Sequence, residues 1–212
     1  MLSYIELLRD DVKDKIDEEV YDNLNIIDSS GKRLIRTIDS ILNFSEVKSK
    51  NYEVINEEMD LYGDVLKRIY NEFYPLAKEK HLNFTLLNNV KQKLVCVDKF
   101  SIMQIFTHLV DNSIKFTKSG NIEISLSSYK EKLRVDISDT GIGISEKYLS
   151  NIYEPFTQDD SGYSRKFDGN GIGLALVKKY CDLNNIAIKI TSIKNKGTTV
   201  QLIFNSSIKT IN

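Results

Sequence analysis

A heptad pattern of apolar residues marks the first part of the chain, over residues 20–47. Two interleaved columns at sevenfold spacing run along it, formed by Leu24, Gly31, Ile38 and Ser45 and by Ile27, Leu34 and Ile41. Columns of this kind line the seam of a helix pair or a four-helix bundle. The pattern predicts one long helix that joins a bundle between chains, and hence a homodimer through the bundle helices. The alternative is a helix that packs on its own domain.

Shorter segments with helical and strand patterns follow from about residue 52. Three segments have the pattern of helices, at residues 61–80, 98–116 and 171–183. Seven have the pattern of strands, at residues 52–56, 83–87, 94–97, 122–126, 133–137, 186–190 and 200–204. Helices grouped among antiparallel strands predict an α+β fold, built as a two-layer α/β sandwich. We therefore expect bundle helices over residues 1–50 and the sandwich over residues 51–212.

Composition excludes several classes of protein. The 212 residues include 29 Lys+Arg and 30 Asp+Glu, a net charge of −1, which argues against nucleic-acid binding. Cys96 and Cys181 form no C-x-x-C pair, so we expect neither a disulfide framework nor a zinc finger. Because disulfides are rare in a reducing compartment, we expect a cytoplasmic location. No apolar run approaches the length of a membrane span, so we expect no membrane segment in this chain.

Four short segments of glycine and polar residues follow one another in the second domain. They are Asn112 with Lys115 and Phe116 at the end of a helix, Asp139-Thr140-Gly141-Ile142-Gly143 after a strand, Glu154-Pro155-Phe156, and Gly169-Asn170-Gly171-Ile172-Gly173-Leu174 at the start of a helix. Each is weak evidence alone, because a glycine-rich turn often only shapes the backbone. The last segment lacks the surroundings of a dinucleotide fingerprint and the Gly-Lys-Ser/Thr of a P-loop.

The residue types in these segments suit a ligand with phosphates and an amine. Glycine lets backbone N–H groups approach phosphate oxygens, and a helix N-terminus favours an anion. An ionised Asp139 only accepts hydrogen bonds, so in a pocket it needs a donor such as an exocyclic amine. Asn112 offers an amide oxygen suited to Mg²⁺, and Lys115, almost one helical turn on, could reach phosphates. The alternatives are a turn-capping aspartate and ordinary polar residues on a helix.

In their order and spacing the four segments resemble the nucleotide-binding boxes of sensor histidine kinases. Residues 24–48, LNIIDSSGKRLIRTIDSILNFSEVK, resemble the second helix of that family's dimerisation and phosphotransfer domain. The resemblance covers essentially the whole chain. It implies a catalytic ATP-binding domain with the gyrase, chaperone and histidine kinase fold. It also implies that the γ-phosphoryl group of Mg²⁺-ATP passes to a bundle histidine and on to a response-regulator receiver domain.

The resemblance implies roles for individual residues. Asn112 would coordinate Mg²⁺ and, with Lys115 and Arg165, form the catalytic set. Phe116 and Asp139 would contact the adenine. Phe156 would anchor a nucleotide lid over residues 157–168. The remaining cofactor-binding positions lie in the glycine segments and the last strand: Gly141, Gly143, Gly169, Gly171, Gly173, Leu174 and Thr198.

Several positions depart from the family pattern. His108 replaces the first Asn of the family's Asn-x-x-x-Asn pair, and Ser101 replaces the Arg of its Asp-x-x-Arg motif. Asn184 and Asn185 replace a pair of glycines, and Asp168 stands where the family often has glycine. The pattern therefore leaves the metal geometry at His108 open.

The largest departure concerns the phosphate acceptor. In the family it is a histidine of the first bundle helix, which we expect roughly 10 residues upstream of Met1, about three helical turns. His81 and His108 lie in the other domain. We therefore expect ATP binding without self-phosphorylation at the usual site. Two alternatives stay open: an ATPase of this fold, disfavoured because His108 replaces the usual general-base glutamate, and a dimerising scaffold that binds nucleotide without kinase activity.

Overall fold

The structure, a computed structural model, describes residues 17–49, 51–91, 94–157 and 171–205. The chain divides into two compact units, with the boundary after Ser49. Among the described helices, none combines the length and the apolar character needed to cross a membrane.

The first unit contains the long helix α1 (Glu18–Lys48), which agrees with the heptad pattern. The Ser49 backbone N–H donates to the Ser45 carbonyl at 2.9 Å and so closes its last turn. Large apolar side chains from both columns and beside them are exposed in the single chain: Val20, Ile27, Leu34, Ile35, Ile38, Ile41 and Leu42. Their exposure in the single chain is compatible with association between chains, and the dimer stays a prediction.

The second unit begins with β1 (Asn56–Asp60), a π-helical turn (Leu61–Leu66) and α2 (Lys67–Glu79). The remaining elements follow in the order β2 (Asn83–Asn88), β3 (Leu94–Asp98), α3 (Lys99–Phe116), β4 (Asn121–Tyr129), β5 (Lys132–Asp139), α4 (Glu146–Leu149), α5 (Gly173–Leu183), β6 (Ile186–Ile193) and β7 (Gly197–Phe204).

Five strands form one sheet in the order β2-β4-β5-β7-β6, and β1 pairs with β3 in a separate antiparallel ribbon. Side chains alternate across the large sheet: Ile122, Ile124 and Leu126 of β4 are buried, whereas Glu123 between them is exposed. Helices α2, α3 and α5 contact strands of this sheet and cover its apolar face. The predicted α+β two-layer sandwich is confirmed.

Two local predictions are wrong. A strand is predicted over residues 52–56, but residues 52–55 are irregular and strand β1 begins only at Asn56. The Tyr52 hydroxyl and the Ile55 N–H instead donate to the Asp98 carboxylate. The expected antiparallel pattern also fails at β2 and β4, which pair in parallel. The chain between them passes through β3 and α3, a crossover long enough to bring it back to the same end of the sheet.

Candidate functional site

Helix α3 carries the first group of predicted site residues. Asp98 caps its N-terminus, because the carboxylate accepts a hydrogen bond of 2.8 Å from the Ser101 backbone N–H. Asn112 and Lys115 lie on a half-buried part of the last two turns, three residues apart and therefore neighbours on the helix surface. The Lys115 Nζ lies 5.0 Å from the centroid of the Phe116 ring. The helix thus brings together three of the predicted ligand contacts.

Asp139 ends strand β5 beside this part of α3. Its Oδ1 accepts hydrogen bonds from the backbone N–H groups of Gly141 at 2.9 Å and Thr198 at 3.2 Å. The Ser113 hydroxyl donates to Oδ2 at a longer 3.4 Å. Burial raises the pKa of the Asp139 carboxyl above its ordinary value, and the three hydrogen bonds oppose that rise. Oδ2 therefore keeps capacity for a stronger donor from a ligand.

Two glycines allow the backbone to close around Asp139. A Cβ on Gly141 would lie 2.6 Å from the Phe116 carbonyl oxygen and 2.9 Å from Asp139 Oδ1. Gly197 has a φ of +117°, and a Cβ there would lie 1.9 Å from the Asp139 carbonyl oxygen. Neither position accommodates a side chain without moving the carboxylate or its strand.

The other predicted residues of this end lie close by. Thr198 stands opposite Asp139 in the register of β5 and β7. Gly143 follows Gly141 in the turn after β5, with a φ of 60°. The Ile142 backbone N–H between them donates to the Phe116 carbonyl at 3.1 Å, which ties this turn to the end of α3.

Hydrogen bonds fix the described residues on both sides of the predicted lid. The Phe156 N–H donates to the Gly171 carbonyl at 3.0 Å, and the Tyr148 hydroxyl donates to the Thr157 carbonyl at 2.9 Å. Phe156 is 67% exposed. The two chain ends that flank residues 158–170 are therefore held together.

Helix α5 begins directly after this junction. Gly173 and Leu174 open the helix, as the glycine segment predicted. Arg165 and Gly169, and the predicted lid residues 158–168, lie outside the described residues. Their roles stay predictions.

His108 lies one helical turn before Asn112 and faces the start of α5. Its Nδ1 is 3.5 Å from the position that a Cβ on Gly173 would take. Its Nε2 is buried and has no hydrogen-bond partner within the described part of the chain. Burial lowers the pKa of His108, against an opposing effect of the Asp111 charge. The side chain is therefore a neutral imidazole packed between two helices.

Ser113 is a site residue that the sequence analysis missed. It lies on the buried face of α3, with Val110 and Ile114 as neighbours, and its hydroxyl reaches Asp139. A polar residue at a buried helical position calls for a hydrogen-bond partner, which is the signal that could have identified it.

The donor set of the site suits a metal ion that brings its own ligands. Among the residues that the structure describes, no group of three or more His, Cys, Asp and Glu side chains could hold a metal. Mg²⁺ commonly keeps several waters and binds one or two protein oxygens together with substrate phosphates. The amide oxygen of Asn112 fits that mode of binding, and a dedicated protein cage is not needed.

Comparison with known proteins gives a matching family and named relatives. Residues 97–208 match the family described as histidine kinase-, DNA gyrase B-, and HSP90-like ATPase. The autoinducer 2 sensor kinase/phosphatase LuxQ of Vibrio vulnificus is 32% identical over 211 residues, which cover 95% of this chain and 24% of LuxQ. The chain thus spans about a quarter of the length of this curated relative.

Two solved structures share the fold. ShkA in complex with AMPPNP has a TM-score of 0.73 at 19% identity, over 98% of this chain and 47% of ShkA. Histidine kinase ThkA in complex with the response regulator protein TrrA has a TM-score of 0.68 at 22% identity, over 96% of this chain and 57% of the other. The named relatives confirm the resemblance to sensor histidine kinases, and with more than half of its length matched, the chain belongs to the histidine kinase-, DNA gyrase B-, and HSP90-like ATPase family.

Proposed function

We propose that this chain binds Mg²⁺-ATP and transfers the γ-phosphoryl group to a histidine on a bundle helix, as the catalytic region of a sensor histidine kinase. The observation that carries the proposal is the Asp139 carboxylate. Two backbone N–H groups fix its Oδ1, and Oδ2 has only the long bond from Ser113 among the described residues. A buried acceptor held in this way suits the exocyclic amine of adenine.

The end of α3 and the start of α5 would serve the phosphates. The Lys115 ammonium is a compact positive charge that would pair with phosphate oxygens. The N-terminus of α5, opened by Gly173, favours an anion through its backbone N–H groups. Asn112 would hold Mg²⁺, which neutralises charge on the phosphate oxygens when bound. On the family resemblance, Arg165 and Gly169 would complete these contacts.

The chain would then mainly have to align the acceptor imidazole with the γ-phosphorus of ATP. A neutral imidazole nitrogen is a competent nucleophile near pH 7. Its lone pair forms the N–P bond while the bond from the γ-phosphorus to the bridging oxygen breaks; ADP leaves, and the proton on the other ring nitrogen passes to solvent. Asp139 and Lys115 would orient the two ends of ATP, so that positioning supplies most of the acceleration.

The partners follow from the same proposal. The exposed apolar residues of α1, including Ile27, Leu34 and Ile41, would be covered by a second copy of the chain and by the acceptor-bearing helix. The ThkA structure is a complex of a histidine kinase with a response regulator. By analogy, the phosphorylated bundle would pass its phosphoryl group to an aspartate of a receiver domain.

Phosphotransfer in a reconstituted mixture tests the proposal. The chain is incubated with Mg²⁺, γ-labelled ATP and a protein that supplies the upstream bundle helix with its histidine. The expected product is acid-labile phosphate on that protein, and no phosphoprotein in a control that lacks it. Steady ATP hydrolysis without phosphoprotein would instead favour the ATPase, and nucleotide binding with neither product would favour the scaffold. Failure to bind nucleotide at all would overturn the assignment.

A further inference from the structure

One carboxylate holds the chain that enters the second unit. Asp98, 4% exposed, accepts hydrogen bonds from the Tyr52 hydroxyl at 2.6 Å, the Ile55 N–H at 3.1 Å and the Ser101 N–H at 2.8 Å. Two of these donors belong to the irregular segment before β1, and the third belongs to the first turn of α3. Asp98 therefore joins the incoming chain to the start of the helix that carries Asn112.

A second set of hydrogen bonds fixes Asp98 itself. Its backbone N–H donates to Asn184 Oδ1 at 2.8 Å, and Asn184 Nδ2 donates to Ser101 Oγ and to the Tyr180 carbonyl, both at 2.8 Å. Ser101 and Asn184 are two positions that depart from the family pattern, and here they are direct partners. Ser101 and Asn184 therefore act together to hold Asp98 in a fixed position.

The Tyr52 side chain is also held through its ring. Its centroid lies 5.6 Å from that of Tyr180 and 6.3 Å from that of Phe100. Burial, and then the bond to Asp98, raises the pKa of Tyr52, so its hydroxyl remains a donor. Burial alone would raise the pKa of Asp98, but the hydrogen bonds from Tyr52, Ser101 and Ile55 outweigh it and the pKa lies below its ordinary value. The pair therefore persists through the neutral range.

We propose that Tyr52, held by Asp98, is a positioning residue that sets the length of the tether between α1 and the second unit. Among the described residues, the last one hydrogen-bonded to α1 is Ser49, and three chain steps from Ser49 to Tyr52 reach at most about 11 Å. Release of Tyr52 and Ile55 would make Asn56 the first fixed residue and extend the span to about 25 Å. This inference rests on the proposed function in one respect: a short tether restricts how the site can reach a bundle histidine.

The tether anchor is remote from the nucleotide. Asp98 and Asn112 stand at opposite ends of α3, about 21 Å apart along the helix axis. Removal of the Tyr52 hydroxyl should therefore leave nucleotide contacts intact and change only the attachment of the segment.

Amide hydrogen exchange in Tyr52→Phe tests the anchor directly. The variant keeps the ring contacts and loses the bond to Asp98, so the Ile55 amide should exchange about tenfold faster, as expected for one lost bond to a charged group. Tyr70→Phe is the matched control, since it removes a hydroxyl bond to the Phe84 carbonyl elsewhere in the unit and should leave Ile55 unchanged. Unchanged exchange at Ile55 in Tyr52→Phe would overturn the inference.

The positioning role has its own readout. With the acceptor protein described above, Tyr52→Ala, which removes the ring contacts together with the hydroxyl bond, should change the phosphotransfer rate at saturating Mg²⁺-ATP at least threefold, while the Kd for ADP stays within twofold. Faster exchange at Ile55 with an unchanged transfer rate would refute the positioning role. If the wild-type chain phosphorylates nothing, the proposed function fails, and the exchange result still decides whether Asp98 anchors the tether.

Discussion

Replacement of Asp139 by asparagine removes the charge of the side chain and keeps its shape. In the wild-type chain Oδ1 accepts from the N–H groups of Gly141 and Thr198. These two donors require an oxygen, so the asparagine must turn its NH₂ group to the Oδ2 position. There it would face the adenine amine, which is also a donor.

The expected loss follows from that geometry. A hydrogen bond to a charged acceptor contributes about 1.5–3 kcal/mol, and a donor facing a donor contributes nothing favourable. We expect Asp139→Asn to lose about 2–3 kcal/mol of nucleotide binding, a roughly 30- to 150-fold higher Kd for ADP and ATP.

Stability should change in the opposite direction. Because burial raises the pKa of Asp139, the folded state binds the proton more tightly than the unfolded state does. The free energy of unfolding therefore falls as pH rises from the unfolded pKa through the folded one, and above that window the wild type bears the full cost. Asparagine removes this cost, so Asp139→Asn should be at least as stable as the wild type at pH 7.

Titration calorimetry with ADP and thermal unfolding at pH 7 measure both effects. Asp136→Asn is the control, because Asp136 lies on the opposite face of the same strand, where it pairs with Arg134 at 2.7 Å. Its Kd should stay within twofold of the wild type. A folded Asp139→Asn that binds ADP within threefold of the wild type would refute the adenine role.

Three further measurements probe the same region and the core. Nucleotide affinity should weaken on acidification from a higher pH than an ordinary aspartate allows, because burial raises the pKa of Asp139 and protonation removes the acceptor. An affinity that falls only at the pH where an ordinary aspartate is protonated would contradict this. Gly197→Ala should lower the free energy of unfolding in urea by at least about 2 kcal/mol, because the φ is +117° and the Cβ would lie 1.9 Å from the Asp139 carbonyl oxygen. The control Gly63→Ala, whose Cβ would lie 3.3 Å from Asp60 Oδ2, should lower it by less than about 1 kcal/mol. At pH 8 a thiol reagent should modify the exposed Cys96 quickly and Cys181 only on unfolding, because burial raises the pKa of Cys181 to about 12. Fast modification of both cysteines in the folded chain would contradict the packing around α5.

The pattern along the chain predicts those parts of the fold that depend on local periodicity. The heptads of α1 and the alternation in β4 and β5 each repeat at least three times, so their elements are correctly identified. Asp98 correctly indicates the start of α3, because N-capping is a local interaction between a side chain and the first helical turn. The described residues of the four glycine and polar segments lie at the end of α3, after β5, after α4 and at the start of α5, and their roles in nucleotide binding stay predictions.

Interactions between distant residues escape such reasoning. Tyr52 and Ile55 have the composition of a strand, yet their hydrogen bonds go to Asp98, more than 40 positions away. Nothing near Ser101 in the sequence indicates that Asn184 is its partner. The parallel pairing of β2 with β4 depends on where a crossover returns, which local patterns do not encode.

The fixed position of Asp139 has a consequence for small inhibitors. Because backbone N–H groups already hold the carboxylate, an aminopurine without sugar or phosphates would bind without the entropy cost of ordering the carboxylate. An aminopurine fragment should therefore show the same fold difference between wild type and Asp139→Asn as the whole nucleotide. Under the proposed function, discrimination between ATP and ADP would come from the phosphate end of the site. Compounds that bind only at Asp139 would therefore compete equally well with ATP and with ADP.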